Sequence, residues 1–292
     1  MDDFSLTPLE GGFSGETFVG VSSGERTVVR IYAERGAKRG PAAAEIDAAV
    51  LRLVRGLVPV PEVLEVRRAD PEEGAPAVLV TSWLPGERLD SLLPRLSAAE
   101  RERVGQNVGR ITARLAQMPM LRPGRFVDGE LRVEPWPEAS DLADWLAYQR
   151  RHSALAAWPA EEFEALEELV TRAQAKLDRI DRTCLVHSDF NPKNLLVDPV
   201  SLEVTGVVDW EFAHAGLPVT DLGNLLRFEQ DEAFRRAVVE THRERVPDAG
   251  GDLLELAQAA DLFALLELAG RKGENPITLA ADARLRAITG LR

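Results

Sequence analysis

The sequence predicts an α+β protein of two lobes: a small strand-rich N-terminal part with one helix, then a larger, mainly helical part. Three observations predict it. Short β-type runs surround a single helical pattern in the first 84 residues. A Pro85-Gly86 pair then interrupts the patterning. Beyond it lie long segments with apolar residues at helical spacing. A chain of 292 residues can bury one large core or two modest ones. The expected division is 1–84 and 85–292, and a cleft between two such lobes is a natural small-molecule site.

Taken in order, the stretch 11-GGFSG-15 comes first. Gly11, Gly12 and Gly15, with Phe13 and Ser14 between them, permit close backbone approach to a ligand, and glycines equally serve a hairpin turn. Residues 16–21 and 27–32 read as strands joined by the turn Ser22-Ser23-Gly24. Pro41 is suited to a first helical turn and opens 42-AAAEIDAAVLRLV-54, which Gly56 ends. Residues 62–66 and 77–83 read as further strands around the loop 69–76. Past Pro85-Gly86, helices are expected at 98–117, 141–152 and 160–180. Residues 118–137 carry Pro119, Pro123, Pro135 and Pro137 and read as an irregular insertion. Short strands flank 185-LVHSDFNPKNLLVD-198 and run through 203-EVTGVVDW-210; residues 220–292 are mostly helical.

Composition narrows the classes. The apolar fraction of 45% and charged fraction of 28% are those of a globular protein. A formal charge of -13 argues against nonspecific nucleic-acid binding, which needs a basic face. It suits a cationic ligand, or serves solubility alone. The single cysteine, Cys184, excludes an internal disulfide and reads as a small buried residue. The N-terminus lacks the basic-then-apolar pattern of a signal peptide, and no apolar run is long enough to span a bilayer. The expectation is a cytoplasmic protein, monomer or homodimer.

The chemistry concentrates in 185-LVHSDFNPKNLLVD-198. Asp189 and Asn194 lie five positions apart between apolar runs, and Asp209 ends the strand 206-GVVD-209. Asn194 and Asp209 are hard oxygen ligands suited to Mg²⁺. Asp189 is then free to accept a proton from a hydroxyl nucleophile. Any one of these residues alone is usually a turn or capping residue. Together, His-x-Asp-x-x-x-x-Asn followed by a strand ending in Asp matches the catalytic-loop and metal pattern of kinases.

The chain resembles the aminoglycoside phosphotransferase and choline kinase-like family, which has the protein-kinase-like fold. The resemblance runs through most of the chain and is strongest in 185-LVHSDFNPKNLLVD-198 and 206-GVVDWEFAHAGLPVTDLGNLL-226. It implies transfer of the γ-phosphate of ATP (or GTP) to a hydroxyl of a small molecule. Asp189 would be the catalytic base, and Asn194 and Asp209 would hold Mg²⁺. His187 and Asp221 would support the loop. Lys193 would contact the transferring phosphate or face solvent, and Asn191 carries no role in this reading. The 11-GGFSG-15 loop would cover the phosphates. Arg30, where protein kinases have lysine, would contact them and pair with Glu45 of the helix. Backbone groups of Ser82, Trp83 and Leu84 would meet adenine, with Trp83 or Leu84 covering it.

Departures from the protein-kinase pattern point to a small acceptor. Ser188 stands where those enzymes have arginine, Trp210-Glu211 replaces Phe-Gly, and no Ala-Pro-Glu segment follows. Glu211 suits a further acidic ligand, a substrate contact or a plain surface role. By the resemblance, the loop after Asp209 and the C-terminal helices would build the acceptor site, a region that offers Glu211, His214, Asp231, Glu232, Asp261 and Glu267, of which the last two interrupt the apolar run 252–270. A buried carboxylate there needs a partner, either a substrate ammonium or an internal salt bridge. The first expected acceptor is an aminoglycoside or other cationic antibiotic. The alternatives are a metabolite such as homoserine, choline, a thioribose or a fructosamine, or a macrolide. A catalytically silent nucleotide-binding module is disfavoured by the intact Asp189, Asn194 and Asp209.

Overall fold

A computed structural model describes residues 5–9, 17–33, 39–70, 72–246 and 252–290. Gly11, Gly12, Phe13, Ser14 and Gly15 lie outside the described residues.

The N-terminal part is one antiparallel sheet. Its strands are β1 (Ser5–Pro8), β2 (Thr17–Ser22), β3 (Glu25–Tyr32), β4 (Val63–Arg67) and β5 (Ala77–Ser82), in the order β1-β2-β3-β5-β4. The β2–β3 hairpin turns through Ser23 (φ 52°) and Gly24 (φ 83°), the left-handed pair that a two-residue hairpin favours. Its register sets Arg30 opposite Thr17 on one side and Leu79 of β5 on the other. Arg30 is thus fixed mid-sheet. Helix α1 (Ala43–Val54) packs on β4 and β5, burying Ile46, Val50 and Val54. The edge strand β1 was not expected from the sequence; its four residues are all exposed and carry no apolar alternation.

Pro85 and Gly86 lie between β5 and β6 (Glu87–Arg88). Gly86 adopts φ 126°, and a Cβ there would strike Thr205, whose hydroxyl donates to the Pro85 carbonyl at 2.5 Å. Only glycine fits that turn.

The helical part continues with α2 (Leu89–Leu92) and α3 (Ala98–Ala116), the latter opened by a Ser97/Glu100 capping box. Next come β7 (Gly124–Phe126), β8 (Val133–Glu134), α4 (Leu142–His152), α5 (Ala160–Leu177) and β9 (Cys184–Val186). A 3₁₀ turn (Pro192–Asn194), β10 (Leu195–Val197), β11 (Val204–Val207) and β12 (His214–Gly216) follow. The chain then forms α6 (Thr220–Leu226), α7 (Glu232–Arg245), α8 (Leu253–Gly270) and α9 (Pro276–Ile288). The described residues hold nine α-helices.

The insertion 118–137, expected to be irregular, contains the β7–β8 hairpin. These strands are three and two residues long, too short for a period of two to show in sequence. They matter because β12 pairs with both β7 and β9, giving a sheet of order β8-β7-β12-β9. A second small sheet, β11-β10-β6, ties Glu87 and Arg88 to Val197 and Leu196. Both small sheets converge on residues 187–194. Beneath them α8 is buried at Leu253, Ala257, Ala260, Leu265, Leu266 and Ala269, and α4, α5, α6 and α9 surround it.

Candidate active site

The loop after β9 is built around a buried carboxylate. Asp221, in the first turn of α6, accepts from the His187 amide at 2.9 Å and from the Ser188 amide at 2.8 Å. Burial pushes its carboxyl above the usual carboxylate range, while the His187 imidazole and the two amides pull it back. Ser188 is held with φ 65°, a left-handed conformation that costs about 1–3 kcal/mol in a residue with a Cβ and persists only under such constraint.

His187 is fully buried between Phe190 and Trp210. Its Nδ1 accepts from the Asp189 amide at 3.2 Å, so Nε2 carries the hydrogen and donates to the Val208 carbonyl at 2.9 Å. Both ring nitrogens are thereby engaged in holding the loop to the Asp209 strand. The Val208 amide donates to the Asn194 carbonyl at 3.0 Å, a second tie between the same segments.

Asp189 is oriented by its neighbours. Oδ1 accepts from Asn191 Nδ2 at 2.7 Å, and Oδ2 accepts from Asn194 Nδ2 at 2.8 Å with Lys193 Nζ 3.3 Å away. An ionised carboxylate offers about four lone-pair sites. Three donors occupy it, which leaves one site on Oδ1 for an incoming hydroxyl. Asn191, left without a role by the sequence, thus orients the Asp189 carboxylate; its own Oδ1 also caps the 3₁₀ turn at Lys193 N, 3.2 Å away. An Asn directly before Pro192 is the signal of that cap.

Asp209 follows β11 with φ 66°, the second strained non-glycine residue of the site. Arg30 reaches it from β3: Nη1 donates to Asp209 Oδ1 at 3.2 Å and Nη2 to Glu211 Oε2. Burial alone would lower the pKa of the Arg30 guanidinium, but Glu211 and Asp209 override it and raise it. Burial and the neighbouring Asp209 push the Glu211 carboxyl upward, against the pull of Arg30.

The expected Arg30–Glu45 pair does not form. Glu45 accepts from Arg68 Nε at 2.7 Å. The α1 carboxylate turned to the sheet is Asp47, and it is taken by Tyr32 Oη at 2.6 Å and by both terminal nitrogens of Arg39. The helical rotation between positions 45 and 47 carries Glu45 away from β3.

At the β5–β6 connection, Ser82 donates its amide to the Glu62 carbonyl and accepts from the Glu62 amide on Oγ, both at 2.9 Å. That amide is therefore committed to the sheet edge, so of the backbone groups expected to meet adenine the Ser82 N–H is already engaged. The Trp83 ring lies under the Arg26 guanidinium at 4.7 Å. The Leu84 side chain lies beside Gly206, where an added Cβ would come within 2.7 Å of Leu84 Cδ1 and 3.2 Å of Leu196 Cδ1. Gly206 thus lets Leu84 and Leu196 pack directly against the β11 backbone.

The residues expected around the acceptor separate. Asp261 is buried in α8 and accepts from Arg227 Nε at 2.9 Å, Arg227 Nη2 at 2.7 Å and Asn224 Nδ2 at 3.0 Å. Of its two readings, the internal salt bridge holds, and the carboxylate is neutralised; Arg227, not singled out in the sequence, is the partner. Asp231 caps α7 at Phe234 N and pairs with Arg101 at 2.6 Å. Glu267 stays exposed, in the field of Arg271, Arg227 and Asp189, and surrounding protein raises its carboxyl. His214 sits in β12 opposite Val186, its Nδ1 3.0 Å from the Phe212 carbonyl and its ring edge-on to Trp136 at 5.4 Å. Burial lowers its pKa.

The donor set suits Mg²⁺. Asn194 gives its amide hydrogens to Asp189, which leaves Oδ1 as a donor to a cation. Asp209 already holds a cation, the Arg30 guanidinium. One amide oxygen and one carboxylate match an ion that completes its shell with phosphate oxygens and water. The residues fit.

Comparison with known proteins agrees with this geometry. The structure is similar to aminoglycoside phosphotransferase APH(4)-Ia in ternary complex with AMP-PNP and hygromycin B, with TM-score 0.70 and 19% identity over 99% of this chain and 94% of that one. It is also similar to the GDP complex of aminoglycoside 2'-phosphotransferase-IIIa, with TM-score 0.66 and 17% identity over 98% and 91%. Among curated sequences it is similar to acyl-CoA dehydrogenase family members 10 and 11 of Mus musculus, at 28% and 29% identity over 56% and 48% of this chain. The matches span only 15% and 17% of those proteins. A family model described as the phosphotransferase enzyme family matches residues 5–258. With most of its length matched, and Asp189, Asn194 and Asp209 brought together on that fold, the chain belongs to the phosphotransferase enzyme family.

Proposed function

We propose that this protein is an ATP-dependent O-phosphotransferase moving the γ-phosphate of ATP to a hydroxyl of a small molecule. The observation that carries the reading is Asp189, its carboxylate aimed by Asn191 and Asn194 with one lone pair left open, tied through His187 and Val208 to Asp209. Asp189 accepts the proton of the acceptor hydroxyl as that oxygen attacks phosphorus. Asn194 and Asp209 would hold Mg²⁺, which supplies charge neutralisation on the phosphates. Arg30 neutralises phosphate from the sheet side. Leu84 and Leu196 offer an apolar surface to the base, and backbone groups of Ser82 to Leu84 other than the Ser82 amide would supply its polar contacts.

The acceptor we propose is cationic, with an antibiotic of the aminoglycoside type as first candidate and resistance by inactivation as its consequence. Glu267 near Asp189 and the charge of -13 support it. A second reading, a macrolide, for which a more apolar acceptor cleft is expected, is favoured by a different observation. Asp261 is neutralised by Arg227, and Trp136 and Phe212, 45% and 51% exposed, flank His214. ATP consumption measured against aminoglycosides, macrolides and neutral small alcohols such as a thioribose separates the two. Polycationic acceptors should give the higher kcat/KM, and Glu267→Gln should weaken them roughly tenfold while sparing neutral acceptors. Turnover with neutral acceptors alone would discard the cationic reading.

A further inference from the structure

We infer that Arg30 takes the place of the metal at Asp209 in the nucleotide-free protein, and that Glu211 is the positioning residue that keeps the guanidinium in the cleft once a metal takes Asp209 over. The inference rests on the phosphotransferase reading of Asp209.

The contacts carry it. Arg30 bridges to two carboxylates that lie 179 and 181 positions further along the chain. Among the described residues, the two α1 carboxylates are engaged elsewhere: Glu45 belongs to Arg68, and Asp47 to Tyr32 and Arg39. A guanidinium has five N–H donors in a fixed fork. Here Nη1 and Nη2 each use one, and Nε is buried with no partner among the described residues. A buried, unpaired donor is unfavourable unless something else arrives to accept from it, and a phosphate oxygen is suited to do so. The two anchors are unequal. Nη1–Asp209 is long at 3.2 Å and Asp209 is 36% exposed, whereas Glu211, paired to Nη2, is 23% exposed. A divalent cation binds carboxylate oxygen at about 2.0–2.1 Å with twice the charge, so Asp209 is the contact it displaces. Glu211 then holds Arg30 with its remaining donors facing the phosphates. In protein kinases a helix glutamate in the same lobe steadies the corresponding lysine; here the steadying carboxylate comes from the strand end that carries the metal ligand.

Mn²⁺ binding to the nucleotide-free protein, followed by the loss of free-ion EPR signal, tests the exchange without any turnover. Arg30→Ala uncovers Asp209 and should tighten Mn²⁺ on the order of tenfold. Arg39→Gln removes the same charge from the same cluster without touching Asp209, and should change the affinity by less than about threefold. Glu211→Gln leaves Arg30 on Asp209 alone and should weaken Mn²⁺ by about threefold or more, an effect that disappears in the Arg30→Ala background. Arg30→Ala binding Mn²⁺ no tighter than Arg39→Gln would overturn the exchange. A Glu211→Gln loss that persists without Arg30 would overturn the positioning role and make Glu211 a ligand instead. Absence of ATP binding by the wild-type protein would remove the phosphotransferase reading, while the Mn²⁺ comparison would still decide the exchange.

Discussion

Single residues here are set by what partners burial leaves them. His242, on the buried face of α7, is 1% exposed. Thr112 Oγ1 donates to the Gly109 carbonyl, so it accepts from His242 Nδ1 at 3.0 Å, and Nε2 has no partner among the described residues. Burial depresses its pKa from 6.5 to about 4. The folded pKa lies below the unfolded one, so this stability is complete above pH 6.5 and is lost as pH falls toward 4. The protein should lose roughly 2 kcal/mol through this group between pH 7 and 5. Urea denaturation at the two pH values checks it: His242→Gln should flatten the slope by that amount, and an unchanged slope would refute it. Asp189, Asn194 and Asp209 were legible in the sequence because their spacing encodes one loop and one strand end. Asn191, Asp47 and Arg227 were not, since what they do depends on hydrogen bonds and rotations that spacing does not report.

At the scale of elements, close helix approach is written in glycines. A Cβ on Gly109 of α3 would come within 2.7 Å of the Val238 carbonyl in α7 and 2.9 Å of Thr241 Cβ; on Gly105 it would come within 2.8 Å of the Phe234 carbonyl. These neighbours are largely backbone and cannot yield cheaply. Gly109→Ala gains about 1 kcal/mol of helix propensity, yet overpacking by about 1–3 kcal/mol should exceed it and lower the denaturation midpoint. A raised midpoint would show that the two helices separate freely. The long helices were readable from apolar periodicity, and the capping box at Ser97 from Ser-x-x-Glu. The β7–β8 hairpin was not, because pairing with β12 rather than local pattern forms it. The rotation of α1 that turns Asp47 inward was equally invisible, since two acidic residues share its first turns.

For the whole molecule, an antiparallel sheet carrying Arg30 is joined to a helical part carrying Asp189, Asn194 and Asp209, with Glu211 completing the link. The fold class was legible from the strand-rich start, the Pro85-Gly86 break and the helical remainder. The acceptor was not, because it depends on which carboxylates remain unsatisfied after folding. Asp261 is not among them. No helix among the described residues is long and apolar enough to cross a membrane. The central claim is that Asp189 acts as base on a hydroxyl and has no part in holding nucleotide. The measurement is acceptor-stimulated ATP turnover by Asp189→Asn beside its affinity for ATP with Mg²⁺. Turnover should fall on the order of a hundredfold or more with ATP affinity held within about threefold. Full turnover in the variant, or loss of ATP binding equal to the loss of rate, would contradict the account.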